Sequence, residues 1–276
     1  MKLNLFSTRS TNCMSAKNIL FYSIISAVLF GAIGYLYYPV LVEICEDISF
    51  YMDPSAARAY GYGQRHLSSQ NGRLYNINRA DFFLIQAEKI DTTLPYVHHE
   101  LARIAFLNSD FDTAMKEINL QITQHGTSTP NSFYVRGLIE GYMGNYTDAT
   151  RDYEVFFEYN PHNWATINDY AWVLLKAGRS QDAVKLTTIG LEMFPDNAWL
   201  LNSNAIALYE IGNVTQARIQ AEKAKNAVAL LTERDWLISY PGNDPGTALQ
   251  GLATFNSATI NNLAKILHNA TSSTIQ

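Results

Sequence analysis

Three glycines, Gly144, Gly178 and Gly212, stand 34 residues apart, and three alanines, Ala149, Ala183 and Ala217, keep the same step. Pro161 and Pro195 follow it too, as do Asn163 and Asn197. A fixed period of this size marks a stacked helical repeat, in which each unit hides its apolar face only against its neighbours. Within one period, residues 131–161 read as two short helices around a Gly144-Asn145-Tyr146 turn, because glycine accepts the left-handed backbone that ends a helix. The expected fold class is all-α, a solenoid of helical hairpins.

Taken in order, residues 1–17 form a polar, basic tail. From Asn18 to Val42 there follow 25 residues without a charge. As a helix that segment is about 37 Å long, enough to cross a bilayer of about 30 Å. Tyr22, Tyr35, Tyr37 and Tyr38 lie towards its ends, where amphipathic rings favour the interface. Lys2, Arg9 and Lys17 precede the segment, and no basic residue follows it until Arg58. The positive-inside bias then places residues 1–17 in the cytoplasm and everything after the span outside it, as a single-pass signal anchor in the cytoplasmic membrane. Cleavage after the small residues Ala32 and Gly34 is the alternative. Residues 43–53 read as an amphipathic linker.

A helix starting at Asp53-Pro54-Ser55, with Asp53 as its cap, and a second over 78–90 make residues 54–94 a degenerate first repeat. The regular array covers 95–231, with helices expected at 96–108 and 111–124 and then three copies starting at Pro130, Trp164 and Ala198. Beyond Leu231 the period fails. Asp235-Trp236-Leu237-Ile238 reads as the end of a helix, broken at Tyr240-Pro241-Gly242. Asp244-Pro245 opens another, with Leu249, Leu252, Phe255, Ile260, Leu263 and Ile266 as its apolar stripe. Residues 232–268 are thus expected to be capping helices, which a stacked array needs over its last apolar face. Residues 269–276 are polar and expected to be disordered.

The agreement of columns resembles the tetratricopeptide repeat (TPR) family in its membrane-anchored bacterial form. The unit from Pro130 offers Phe133, Gly137, Ala149, Tyr153 and Pro161 to that pattern, and departs from it at Arg136, Glu140 and Phe156. The unit from Trp164 offers Ile167, Ala171, Leu174, Ala183 and Pro195. That from Ala198 offers Leu201, Ala205, Leu208, Ala217 and Ala224, and the unit from Pro95 keeps Leu101, Ala102 and Ala114. The resemblance implies a solenoid of about four repeats, with a concave groove lined by the first helix of each. The groove positions fall on Tyr96, His99, Arg103 and Phe106, on Asn131, Tyr134, Leu138 and Tyr142, on Asn168, Trp172 and Lys176, and on Trp199, Asn202, Ile206 and Tyr209. Amides at a repeating step can pair with the backbone of an extended peptide while aromatic rings supply apolar area.

Composition narrows the function from the other side. The net charge is −5, and beyond residue 42 there are 17 basic against 25 acidic side chains, so a phosphate-binding surface for nucleic acid is not expected. Two cysteines, Cys13 and Cys45, flank the apolar segment and make neither a disulfide framework nor a zinc spacing. His98-His99-Glu100 lacks the second histidine that a zinc helix needs, and Gly61-Tyr62-Gly63 lacks the third glycine of a phosphate loop. No catalytic residue, cofactor or metal ligand is expected. The reading is a membrane-anchored, non-enzymatic adaptor or scaffold that holds a protein or peptide partner in its groove outside the cytoplasm, in assembly of an envelope or secretion complex. A self-associating spacer without a peptide ligand stands as the alternative.

Overall fold

The computed structural model describes residues 16–240 and 243–269, all helix, turn and irregular chain, with no strand among them. The expected basic tail up to residue 15, the Pro241-Gly242 break and the polar end beyond residue 269 lie outside the described residues. Helix α1 (Ala16–Met52) is a unit of its own, and residues 53–276 form the second. The helix carries Pro39 within it and continues through the segment read as a linker, to Met52. Within Ser23–Met52 the most apolar window of 18 residues has a mean hydropathy of 1.8, and none of that window is buried. It is the one described helix long and apolar enough to cross a membrane.

The second unit begins with α2 (Ala56–Leu67) and α3 (Ile77–Ile90). Ser55, rather than Asp53, caps α2 by accepting from the Arg58 amide at 3.4 Å, which leaves Pro54 outside the helix. The long connection between the two helices folds around His66. Its Nδ1 lies 2.7 Å from the Leu74 carbonyl, its Nε2 accepts from Arg79 at 3.3 Å, and its own carbonyl accepts from the Asn76 amide.

Four regular hairpins follow. They are α4 (Val97–Leu107) with α5 (Phe111–His125), α6 (Asn131–Met143) with α7 (Tyr146–Tyr159), α8 (Trp164–Lys176) with α9 (Ser180–Met193), and α10 (Ala198–Glu210) with α11 (Val214–Val228). The periodic residues account for the boundaries. Gly144, Gly178 and Gly212 have φ of 85°, 74° and 81°, with open space where a Cβ would stand, so their backbone and not their size is what the turn requires. In the first hairpin Ser109 takes that place at φ 61°. All four turns close with the same six-residue bond, from Asp110, Asn145, Arg179 and Asn213 amides to the carbonyls of Ala105, Glu140, Leu174 and Leu208. Asn163 and Asn197 recur because each caps the next first helix, accepting from Thr166 and Leu200 amides at 3.1 and 3.0 Å.

Inside each hairpin the small residues meet. Ala149, Ala171, Ala183, Ala205 and Ala217 are fully buried. A Cβ on Gly137 would stand 3.1 Å from the Tyr153 ring and 3.3 Å from the Ala149 carbonyl. Larger side chains then fill the seams between hairpins, with Tyr153, Ile167, Leu174 and Leu200 in one continuous core. The departures in the Pro130 unit are compensated locally. Arg136, where the family has an apolar residue, makes a two-pronged ion pair with Asp152 at 2.6 and 2.8 Å and reaches Asn119. Phe156 is buried against Tyr134, ring to ring at 5.4 Å.

Asp235–Ile238 do belong to a helix that ends before Tyr240, but it is a short helix with a start of its own. Thr232 and Asp235 form a reciprocal capping box for α12 (Glu233–Ser239), which is why Asp235 stands at its front. After a turn over Pro245–Thr247 capped by Asp244, a single helix α13 (Ala248–Asn269) runs to the end of the described chain. Leu263 and Ile266 are buried against Leu208, Ala217, Ala221 and Ala224, covering the last hairpin. The apolar stripe is only partly used, since Leu249 and Ile260 stay 67% and 48% exposed.

If the alanine contact sets the helix spacing, Ala183→Leu should overpack the α8–α9 hairpin and cost about 1–3 kcal/mol. Thermal unfolding of the full chain in detergent, followed by far-ultraviolet circular dichroism, should show the midpoint falling, whereas Lys185→Leu on the exposed side of α9 should leave it in place.

Candidate functional site

The first helices of the array put most of the expected groove residues on one face, but in two different environments. At the N-terminal ends of α4, α6 and α8 an open pocket of about 640 Å³ lies between the repeats and Ile238–Tyr240. Of the expected residues, His99, Arg103, Asn131 and Tyr134 line it. Further along the same face the rings of Phe106, Tyr142 and Trp172 make a ladder with centroid steps of 5.1 and 5.4 Å. Tyr142 is 59% exposed at its middle. Tyr96 stands at the entrance to α4 with φ 70° and meets the His99 ring edge-on at 5.5 Å.

Other expected groove residues hold the repeats together. The Asn168 carbonyl oxygen accepts from Ser203 at 2.8 Å, and its amide donates to Asp169 at 3.2 Å. This spends the side chain expected to read a peptide backbone. Leu138 is buried, while Ile206 and Tyr209 pack on the core of the last hairpin. Trp199 is sandwiched between Trp164 at 4.9 Å and Phe255 of α13 at 5.0 Å, so the C-terminal helix covers it. Asn202 does not line the pocket, nor does Lys176, which is exposed.

The pocket itself is polar, and the opposite charges in its wall are paired. His99 is buried, and burial pushes its imidazole down to about 4, so the ring is neutral, with Nδ1 3.1 Å from the Ser132 hydroxyl. Glu100 and Arg103 are the two ionised groups in the wall, and they pair with each other. Burial opposes the Arg103 charge, but Glu100 and Tyr240 outweigh it and hold the proton firmly. Further polar lining comes from Asn160, His162 and Asn163 in the turn between α7 and α8, which the first-helix positions of the repeat pattern did not include. Their signal in the sequence was present but read otherwise: Asn163 repeats as a cap, and the turn it caps forms the pocket floor. Among the described residues no group of three or more His, Cys, Asp or Glu side chains is placed to hold a metal ion.

Beneath the pocket Tyr134 donates to Asp169 at 2.6 Å. Burial drives the Asp169 carboxyl up to about 6, against the bonds from Tyr134 and Asn168 that favour its charge. In the unfolded chain an aspartate titrates near about 4.

No protein-family model and no curated protein matches the sequence. Solved structures do match in fold. YrrB, described as a TPR protein with an unusual peptide-binding site, is 15% identical with a TM-score of 0.55, over 66% of this chain and 91% of that one. A structure of MamA is 19% identical with a TM-score of 0.53, over 62% of this chain and 95% of that one. The fold is the tetratricopeptide-type helical-hairpin solenoid.

Between about pH 4 and 6 the folded chain keeps a proton on Asp169 that the unfolded chain has released, so this group lowers stability as pH rises through that window. Denaturant midpoints of wild type and Asp169→Asn, compared from pH 4 to 7, should show the wild type losing ground to the variant as pH rises; parallel curves would exclude a buried titrating Asp169.

Proposed function

We propose that the chain is a membrane-anchored, non-enzymatic scaffold whose first-helix face binds an extended, largely uncharged segment of a protein partner. The observation that carries this reading is the pocket across α4, α6 and α8. Its volume lies within the range of sites that take small ligands or a few peptide residues, roughly 300–1,000 Å³. Its amide, imidazole and phenol groups can bond to a peptide backbone, while its Glu100–Arg103 pair is already neutralised. The exposed Tyr142, continuing into Phe106 and Trp172, offers the adjoining apolar area. A peptide-binding site in YrrB supports the same use of the fold.

The anchor is α1, and the charge bias around it supports a cytoplasmic N-terminus with the repeats on the far side of the membrane. A scaffold held there would keep its partner at the membrane surface, as assembly of an envelope or secretion complex requires.

A photo-crosslinking amino acid placed at position 131 of the full chain in cells should trap a discrete partner band, and one placed at position 189 on the exposed side of α9 should not. Tyr142→Ala should weaken the trapped complex about tenfold, as truncation of an aromatic hot spot does. Equal adducts at positions 131 and 189 would remove the groove from the argument.

A further inference from the structure

One wall of the pocket comes from the chain's own C-terminal segment. The ring of Tyr240 lies under the Arg103 guanidinium, 5.9 Å from its centre, and 6.3 Å from the Phe106 ring. Arg103 and Phe106 are groove residues of α4, whereas Tyr240 follows α12, so this contact joins sequence positions more than 130 residues apart. An aromatic ring against a cation and tilted at 56° to a second ring combines two directional contacts. Elsewhere the segment that delivers it rests on the turn at 69–71 and on α13. No residue of α12 is fully buried, and Ile238, which faces the pocket, is 53% exposed. The helix is tied mainly to α13, where Trp236 lies on Gly251 and Asn243 donates to the Trp236 carbonyl at 2.8 Å. An exposed Leu230 just before it leaves the lead-in loosely packed.

We propose that residues 233–240 are a built-in occupant of the groove, and that the partner segment takes their place by presenting its own tyrosine or phenylalanine to Arg103 and Phe106. This rests on the groove reading above and deepens it, because it names the anchor residue of the ligand and the competitor it must displace. The occupant competes as a tethered ligand, whose effective concentration is in the millimolar range for a short tether. A free peptide of the same sequence therefore gains access only when the tethered copy is weakened. Partner binding is then coupled to release of α12 from the α4 side of the groove, while α13 stays on the last hairpin.

The test uses the full chain in detergent and, as probe, a fluorescein-labelled peptide of residues 233–240, Glu-Arg-Asp-Trp-Leu-Ile-Ser-Tyr, read by fluorescence anisotropy. Tyr240→Ala should bind the probe at least about tenfold more tightly than wild type. Ile238→Glu, which loosens the same segment from an exposed position, should give a gain of the same sign. A probe ending in alanine, or Arg103→Ala added to Tyr240→Ala, should abolish the gain. Equal binding to wild type and both loosened variants, binding to none of them, or a gain indifferent to the probe's tyrosine would overturn the proposal. Crosslinking at position 131 separates this from the groove reading. An adduct that persists unchanged in Tyr240→Ala leaves the groove standing and removes the occupant, whereas absence of any adduct in wild type and variant removes the groove itself.

Discussion

The array depends on the contact of small residue against small residue inside each hairpin. Ala149, Ala183 and Ala217 on the second helices, with Gly137, Ala171 and Ala205 on the first, have no exposed surface or almost none. They bring paired axes to the near end of the normal packing range, about 8 Å. That approach leaves no room for a large side chain at the crossing itself, so the large apolar groups lie beside it, in the seams between hairpins and on the first-helix face. Seam residues such as Tyr153 and Ile167 make the stack continuous, and face residues such as Tyr142 are left for contact with something else.

The polar residues divide along the same line. Ser132 meets His99, Asp169 meets Tyr134, and Ser203 meets Asn168, each pair joining neighbouring first helices. These bonds lie just under the face, and they fix the distance between successive hairpins. A groove built on such spacers has walls of set separation. Within the pocket Glu100 and Arg103 are paired with each other, and His99 is buried and shifted.

The repeat, its helices and its small-residue contacts were legible in the sequence because they rest on local chemistry. Glycine at a left-handed turn, asparagine at a cap and alanine at a close approach each leave a mark at a fixed step. The site was less legible. Asn168 looked like a peptide reader because its position in the repeat permits that role, but Ser203 engages it from the next unit. Trp199 looked open because nothing within its own repeat covers it, and Phe255 does so from beyond the array. Asp235–Ile238 read as the end of a helix, which they are, but the capping box of Thr232 with Asp235 also gives that helix its own start. For Asn168 and Trp199 the partner lies outside the repeat unit, which a periodic pattern does not encode.

A solenoid is ordinarily an open row in which each unit touches only the next, so its two ends can fray independently. Here α12 packs against the turn at 69–71, Tyr240 reaches Arg103, and Pro245 lies 3.6 Å from where a Cβ on Gly72 would stand. The last part of the chain thereby touches the first repeat, and the row becomes a loop. In a loop the end unit that lacks the regular pattern, residues 54–94, has a neighbour on both sides. The least regular repeat is thus stabilised by the residues furthest from it in sequence, and loss of the C-terminal segment would be felt first at the opposite end of the array.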